Sequence, residues 1–112
     1  MGVVTPFPQP MAGQVVFDRA ELNVILNLYG RMVAEGQWRD YAIAMDRDAA
    51  VFSAFRRTSE RPEMQVVKRP ALRLKQGEYA LIGEAGAVLR RGHELKPVLA
   101  PLERRLLKLV EA

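Results

Sequence analysis

The sequence predicts an α+β domain, with an N-terminal helix, an antiparallel meander of four or five strands, and a C-terminal helix. Apolar residues recur at helical spacing near both ends of the chain. Between them, from residue 38 to 91, short apolar runs alternate with turn residues. The 112 residues, 49% hydrophobic and 27% charged, are typical of one globular domain. Each helix has one apolar face, so both can cover one face of the sheet, leaving the other solvated or buried in a dimer or complex.

Residues 1–16 are predicted to form a flexible proline-rich tail ahead of a single α+β domain over residues 17–112. Prolines stand at positions 6, 8 and 10, and each lacks a backbone donor and favours extended geometry in its predecessor. A tail of this kind either stays mobile or docks into a partner's aromatic groove.

The first helix is predicted from its capping residues. Asp18 is a good N-cap, and Glu21 three residues later completes a capping box. Phe17 and Leu22 have the spacing of a hydrophobic staple, and Gly36 is a natural stop. The predicted apolar stripe consists of Leu22, Ile25, Leu26, Tyr29, Met32 and Val33.

Two further features lie inside this helix. Gly30 should cost about 1 kcal/mol relative to alanine, which a close neighbour crossing there would explain. Asn23, Asn27 and Arg31 share another face at i, i+4 and i+8. That row either binds a ligand or partner or is simply solvated.

The strands are predicted from apolar runs bounded by turns. Asp46 and Asp48 suit the turn of a first hairpin, Pro70 ends a strand or marks a sheet edge, and Gly86 permits a later hairpin loop. The predicted strands cover residues 41–45, 51–57, 64–69, 79–83 and 87–91.

A C-terminal helix closes the predicted fold. Pro97 falls in its first turn, where proline is tolerated. Pro101 should kink the helix or divide it into two short pieces. The predicted apolar stripe is Leu95, Val98, Leu99, Leu102, Leu106, Leu109 and Val110.

Little catalytic chemistry is visible. The chain has no cysteine and one histidine, His93, which would need an orienting partner and a pocket to act as a general base. As a metal ligand it would need companions that the sequence does not offer. Turn chemistry explains Asp46 and Asp48 without a cation. We therefore expect no cofactor, no metal site and no catalytic residue, so that a non-enzymatic protein is favoured.

The formal net charge is +4, which favours anionic partners. The basic residues concentrate near strand ends and loops, and could converge on one end of the sheet as a phosphate-binding patch. The alternative is a solvated edge protected by charge against strand-to-strand aggregation. The candidate anion- or partner-binding residues are Arg56, Arg57, Lys68, Arg69, Arg73, Lys75, Arg90, Arg91 and His93.

No apolar run reaches the ~18 residues that span a bilayer, and the N-terminus lacks the pattern of a secretory signal. Absence of cysteine fits a reducing compartment. We therefore expect a cytoplasmic protein with no membrane association.

Five segments together resemble a family of short alphaproteobacterial proteins catalogued only as a domain of unknown function. They are FDRAELNVILNLYGRMVAEGQWRDYAI, AVFSAFRR, KRPAL, QGEYAL and LRRGHEL, within residues 17–95. The resemblance implies a stand-alone bacterial cytosolic protein, and it brings no activity, cofactor or catalytic residue.

The favoured function is a small binding or regulatory domain that recognises a protein partner, either another protein or a second copy of itself. The first alternative is nucleic-acid binding through the basic strand ends. The second is an enzyme that uses His93.

Overall fold

A computed structural model of the protein describes residues 13–57 and 61–111. Within these residues, five strands form one antiparallel sheet in the order β1-β2-β3-β4-β5. This confirms the predicted α+β class and gives the meander five strands. The elements are α1 (Arg19–Ala34), β1 (Asp40–Met45), β2 (Ala50–Phe55), β3 (Met64–Lys68), a 3-10 turn (Pro70–Leu72), β4 (Tyr79–Gly83), β5 (Val88–Gly92), α2 (Leu95–Val98) and α3 (Ala100–Glu111).

Helix α1 begins as its sequence predicts. The Asp18 carboxylate accepts from the Glu21 backbone N–H, and the Glu21 carboxylate accepts from the Asp18 N–H, both at 2.8 Å. Phe17 and Leu22 are both buried in the core. The chain leaves the helix through Gly36 at φ +74°, a left-handed conformation that glycine adopts without strain.

Two expectations for α1 are wrong in detail. Apart from the backbone of α1 itself, no atom of residues 13–57 and 61–111 lies within 4 Å of the position that a Gly30 Cβ would take, so no described neighbour crosses there. Val33, placed in the predicted stripe, is 41% exposed, whereas Leu28, left out of it, is 3% exposed. The buried face is rotated toward Leu28 because the helix packs on the sheet along that side.

The strand register divides the sheet into two faces. Phe52 lies opposite Ile43 on one side and Val66 on the other, and Val66 lies opposite Leu81. Because side chains alternate along a strand, these residues share one face. They belong to the same buried cluster as the apolar faces of all three helices. The core therefore fills the space between the helices and this one face, which we call the helix face.

The C-terminal helix is divided, as Pro101 predicts. Helix α2 ends at Val98, and α3 begins at Ala100, which places Pro101 in the first turn of α3. The backbone N–H groups of a first turn have no partner within the helix, so the N–H that proline lacks costs no helical hydrogen bond there. The second piece is longer than expected, at 12 residues. Its outer side differs from the predicted stripe, since Val110 is 68% exposed.

The segment before α1 is attached to the sheet. The Val15 N–H donates to the Asp46 carbonyl at 2.7 Å, and the Gln14 amide donates to the Met45 carbonyl at 3.1 Å. Val15 also packs against the core. Residues 1–12, most of the predicted proline-rich tail, lie outside the described residues.

The β3–β4 connection closes tightly on the end of β5. A Cβ on Gly77 would lie 2.5 Å from the carbonyl carbon and oxygen of Gly92, and Gly77 has φ +106°. Both facts require glycine at this position. The contact fixes the connection, including the 3-10 turn, against the sheet.

Candidate functional site: the open face of the sheet

The second face of the sheet, which we call the open face, is formed by the residues that alternate with the core. One row across it runs from Ala44 through Val51, Val67 and Ala80 to Arg91. This row is apolar over four strands and ends in a charge at the edge strand.

A second row runs parallel to the first. It joins Ala42, Ser53, Gln65, Ile82 and Val88. The Gln65 amide donates to the Ser53 hydroxyl at 3.0 Å across the strands. The two polar residues in the middle of this row thus bond to each other.

None of the described helices lies on the open face, because the buried sides of α1, α2 and α3 all join the cluster on the helix face. Phe55 also belongs to the open face, in register with Asp40 at one corner. An antiparallel sheet with one solvated face normally alternates apolar and polar residues, whereas strands buried on both faces read as apolar runs. Strands β2 (AVFSAF) and β4 (YALIG) have the second pattern.

The two ends of the sheet differ in their charged contacts. At the end where β3 begins, which we call the Glu63 end, the Glu63 carboxylate is only 6% exposed. It accepts hydrogen bonds from Trp38 Nε1 at 2.6 Å, Arg105 Nη1 at 2.8 Å and Arg56 Nη2 at 3.0 Å. The carboxylate thereby joins α3, the loop before β1 and the end of β2.

The charge of Glu63 is stabilised by these donors. Burial alone raises the pKa of the carboxyl group, but hydrogen bonds from Arg105, Trp38 and Arg56 outweigh it and hold the pKa below its ordinary value. All its acceptor positions are engaged by the fold, so the group holds elements together and does not face a substrate.

At the opposite end, which we call the Lys68 end, a second buried carboxylate also holds elements of the fold together. Glu21 Oε1 accepts from Lys68 Nζ at 2.8 Å, and Oε2 accepts a short hydrogen bond from the Tyr79 hydroxyl. Lys68 also donates to the Val16 carbonyl at 2.9 Å. Burial raises the pKa of Tyr79 well above its usual range, and the hydrogen bond to Glu21 and the negative charge of that carboxylate raise it further. Among the described residues, no buried side-chain nitrogen or oxygen lacks a partner.

The structure does not bring the nine candidate residues to one end of the sheet. Arg56 and Arg57 follow β2 at the Glu63 end, and Arg56 bonds to Glu63. Lys68 bonds to Glu21 inside the fold and is not available to an external anion. The candidates in or beside the Lys68 end are Arg69, Arg73, Lys75, Arg90, Arg91 and His93.

Acids accompany the basic residues at the Lys68 end. Asp46, Asp48 and Glu78 lie in the turns there. Backbone hydrogen bonds from Ala49 and Asp48 lower the pKa of Asp46, and the positive charge of Arg69 adds to that effect. The end of the sheet is therefore of mixed charge, which is a weaker attractor for phosphates than a uniformly basic patch.

The remaining chemical candidates are a pair of turn residues and an exposed histidine. Asp46 Oδ1 accepts from the N–H groups of Asp48 and Ala49, both at 2.9 Å, which is the turn predicted for this pair. His93 is exposed between β5 and α2. In residues 13–57 and 61–111, no group of three or more metal-ligating side chains comes together, and no helix is long and apolar enough to cross a membrane.

A protein-family model described as "Protein of unknown function (DUF2794)" matches residues 15–99, which is most of the chain. The chain belongs to this family. No curated protein and no solved structure shows a significant match. The matched region of the family includes α1, the whole sheet and α2, and it ends immediately before α3.

The sequence predicted that one sheet face of this family member would lie away from the helices, but the search for sites concentrated on charge and did not identify the residues of that face. The signal was present in the strands, since Val51, Val67 and Ile82 are apolar at the positions where a solvated face would be polar. Reading it required the register, because a shift of one residue exchanges the two faces of a strand.

Proposed function

We propose that this protein is a non-enzymatic binding domain that recognises a protein partner through its open face. The observation that supports the proposal is the apolar composition of that face on β2, β3 and β4, opposite the helices. Val51, Val67 and Ile82 are partly exposed on this face, and exposed apolar surface on a small protein is typical of interaction sites. Burial of an apolar sheet face is also the most direct source of binding free energy.

The partner that the open face fits best is a second copy of this chain. A second copy supplies a sheet of the same width and twist, and two such sheets pack at about 10 Å with their strands about 30° apart. From β1 to β4 the two rows carry no charge, so two copies do not place like charges in contact at the centre of the face. Asp40 and Arg91, of opposite sign, stand at its periphery.

The size of the face sets the expected affinity. Five strands about 4.8 Å apart, each with about five residues rising 3.4 Å, cover roughly 400 Å² in projection. With the relief of the side chains, two copies bury on the order of 1,000 Å², near the lower limit for a specific interface. We therefore expect a dimer with a dissociation constant in the micromolar range.

Analytical ultracentrifugation of the full chain over a wide concentration range tests this proposal. Val67→Lys places a charge at the centre of the open face and should abolish dimerisation. Leu74→Lys is the matched control, because Leu74 is 88% exposed on the β3–β4 connection, outside both faces, and it should dimerise as the wild type does. A wild type that is monomeric at every concentration, or a Val67→Lys variant that still dimerises, would contradict the proposal.

Nucleic-acid binding is the alternative, and the cluster of Arg69, Arg73 and Lys75 on one short connection favours it. Fluorescence anisotropy with labelled DNA and RNA over a salt series tests it. Binding that weakens steeply with salt and is lost in Arg73→Glu/Lys75→Glu would support this alternative. Arg56 is unsuitable for the test because its change would also disturb Glu63.

A catalytic role for His93 has less support, since a general base acts from a pocket with an orienting partner and this imidazole is exposed. The resemblance to short bacterial proteins, together with the absence of cysteine, leads us to propose the bacterial cytoplasm as the compartment in which the domain works.

A further inference from the structure

A long furrow runs along α1 on the helix side of the molecule, away from the open face. Its first section lies against α2 and includes Val24 and Lys96 in its walls. Its middle section, of about 490 Å³, shares these two residues and continues to Arg31 and Glu103. The third section, of about 220 Å³, shares Arg31 and Glu103 and ends between α1 and α3. The shared wall residues place the three hollows in a row along α1, and we call this row the furrow.

The Arg31–Glu103 ion pair crosses the furrow and fixes its width. Arg31 Nη1 and Nη2 donate to the two carboxylate oxygens of Glu103 at 2.9 and 2.7 Å. This two-point contact joins α1 to α3, and the hydrogen bond that Arg31 donates to Glu103 raises the pKa of Arg31. The furrow is therefore held open at a defined separation of the two helices.

Two asparagines line the middle section at a spacing that suits an extended chain. Asn23 and Asn27 are one helical turn apart, which puts their Cβ atoms about 5–6 Å from each other. Alternate residues of an extended peptide repeat at about 6.6–6.8 Å and direct their N–H and C=O groups to the same side. A primary amide offers both donors and acceptors, so each asparagine can bond one peptide unit of every second residue.

The hydrogen bonds within the row preorganise it. Arg31 Nε donates to Asn27 Oδ1 at 3.1 Å, which orients the Asn27 amide with its NH₂ group away from the arginine. Val24 and Leu99 supply apolar floor between the polar groups. The row that the sequence left undecided between a ligand and solvent thus lies in a groove with mixed polar and apolar walls.

The ends of the furrow differ in character. Lys96 lines the first and middle sections, and unlike Arg31 it makes no ion pair with the acids that the structure describes. The third section is walled by Leu107 and Val110, which are 60% and 68% exposed. Two acids, Glu21 and Glu94, also line the first section, so the charge of Lys96 is available to a ligand in the middle section. The furrow thus offers a cation in its middle section and exposed apolar surface at the end near α3.

We infer that this furrow binds an extended peptide segment of a partner protein, gripped along its backbone by Asn23 and Asn27. The segment places a carboxylate beside Lys96 and a large apolar side chain against Leu107 and Val110. From Ala20 to Ala34, α1 is about 21 Å long, which accommodates about six extended residues. The site is separate from the open face and does not depend on it.

Panning a phage-displayed library of random heptapeptides against the full chain identifies the sequence preference. A synthetic, fluorescein-labelled peptide of the consensus is then titrated by fluorescence polarisation. We expect a consensus with an acidic residue and a large apolar residue about four or five positions apart, the spacing that the length of the furrow dictates. We expect Asn23→Ala/Asn27→Ala to weaken binding at least about tenfold, the effect of losing hydrogen bonds that amount to about 1.4 kcal/mol.

The control variants separate this site from the open face and from misfolding. Alanine favours helix more than asparagine does, so the double variant should keep the wild-type circular dichroism and urea midpoint. Val67→Lys on the open face and Gln76→Ala on the exposed β3–β4 connection should leave peptide binding unchanged. Failure to enrich any consensus, a smaller loss in the asparagine variant, or an equal loss in Val67→Lys would overturn the inference.

Discussion

Replacing Glu63 by glutamine should destabilise the fold far more than an ordinary surface substitution. The carboxylate is buried and accepts from Trp38, Arg56 and Arg105. In Glu63→Gln the side chain keeps its shape, but an NH₂ group must replace one oxygen. Each oxygen accepts from two of these donors: Arg105 and Trp38 at Oε1, and Arg105 and Arg56 at Oε2. Either orientation of the amide therefore sets a donor against two donors.

The magnitude follows from the exposure of the partners. Removing one member of a fully buried ion pair costs about 3–5 kcal/mol. The side chain of Arg105 is 29% exposed and that of Arg56 is 56% exposed, so water compensates part of their loss. The Trp38 N–H is buried and gains no such compensation. We expect a loss of about 2–3 kcal/mol in the free energy of unfolding at pH 7.

Urea unfolding followed by fluorescence measures this loss directly, because Trp38 is the one tryptophan in the chain and is 2% exposed. Glu84→Gln is the matched control. Glu84 lies 3.7 Å from the same Arg56, but half of its side chain is exposed, so its replacement should cost less than about 0.5 kcal/mol.

The pH dependence gives an independent check. Because the pKa of Glu63 is lowered in the folded state, the stability that its charge contributes is fully present above the ordinary pKa of 4.5 and is lost as the pH falls through the folded pKa. The difference between wild type and Glu63→Gln should therefore be constant from neutral pH down to about pH 5.5 and then narrow. A difference below about 1 kcal/mol at pH 7, or one that stays the same down to pH 3, would refute the reasoning.

Three further predictions concern the backbone, and urea denaturation checks each of them. Gly77→Ala should lower the free energy of unfolding by more than about 2 kcal/mol, because its methyl group would meet the Gly92 carbonyl. Gly86→Ala, at φ +86° with open space around it, should lower it by about 1 kcal/mol. Equal effects of the two variants would contradict the steric argument. Gly30→Ala should stabilise the protein by about 1 kcal/mol, since the site is mid-helix with no atom within 4 Å; a loss would show a contact that the structure lacks. Asp18→Ala should cost about 1 kcal/mol through loss of the N-cap, and an unchanged midpoint would mean that the capping box adds nothing.

Much of the fold could be predicted from local sequence. The capping box at Asp18 and Glu21, the stop at Gly36 and the division at Pro101 all depend on residues within one or two helical turns. The Asp46 turn likewise depends on two consecutive backbone N–H groups, those of Asp48 and Ala49. Such features are visible in a sequence because the interacting groups are neighbours along the chain.

The candidate sites could be predicted only in part. The charge of Lys68 was visible, but its partner Glu21 is 47 residues away in the sequence, and Arg105 is 42 residues from Glu63. Without knowledge of these contacts, the sequence does not distinguish a lysine or arginine that is paired inside the fold from one that is available to a ligand. The asparagine row on α1 was visible as well, but the opposite wall of the furrow comes from α2 and α3.

The sequence by itself determined the elements, their order and the presence of two apolar helix faces, because periodicity, caps and turns act over a few residues. The tertiary structure decided which side of each strand meets the helices, at which end each arginine stands, and where α1 and α3 leave a furrow between them. The faces depend on strand register, since a shift of one residue exchanges the two faces of a strand. The charged contacts and the furrow depend on contacts between segments that are distant in the sequence. The family match adds the domain to which residues 15–99 belong, and the open face and the furrow are the surfaces on which its function can now be tested.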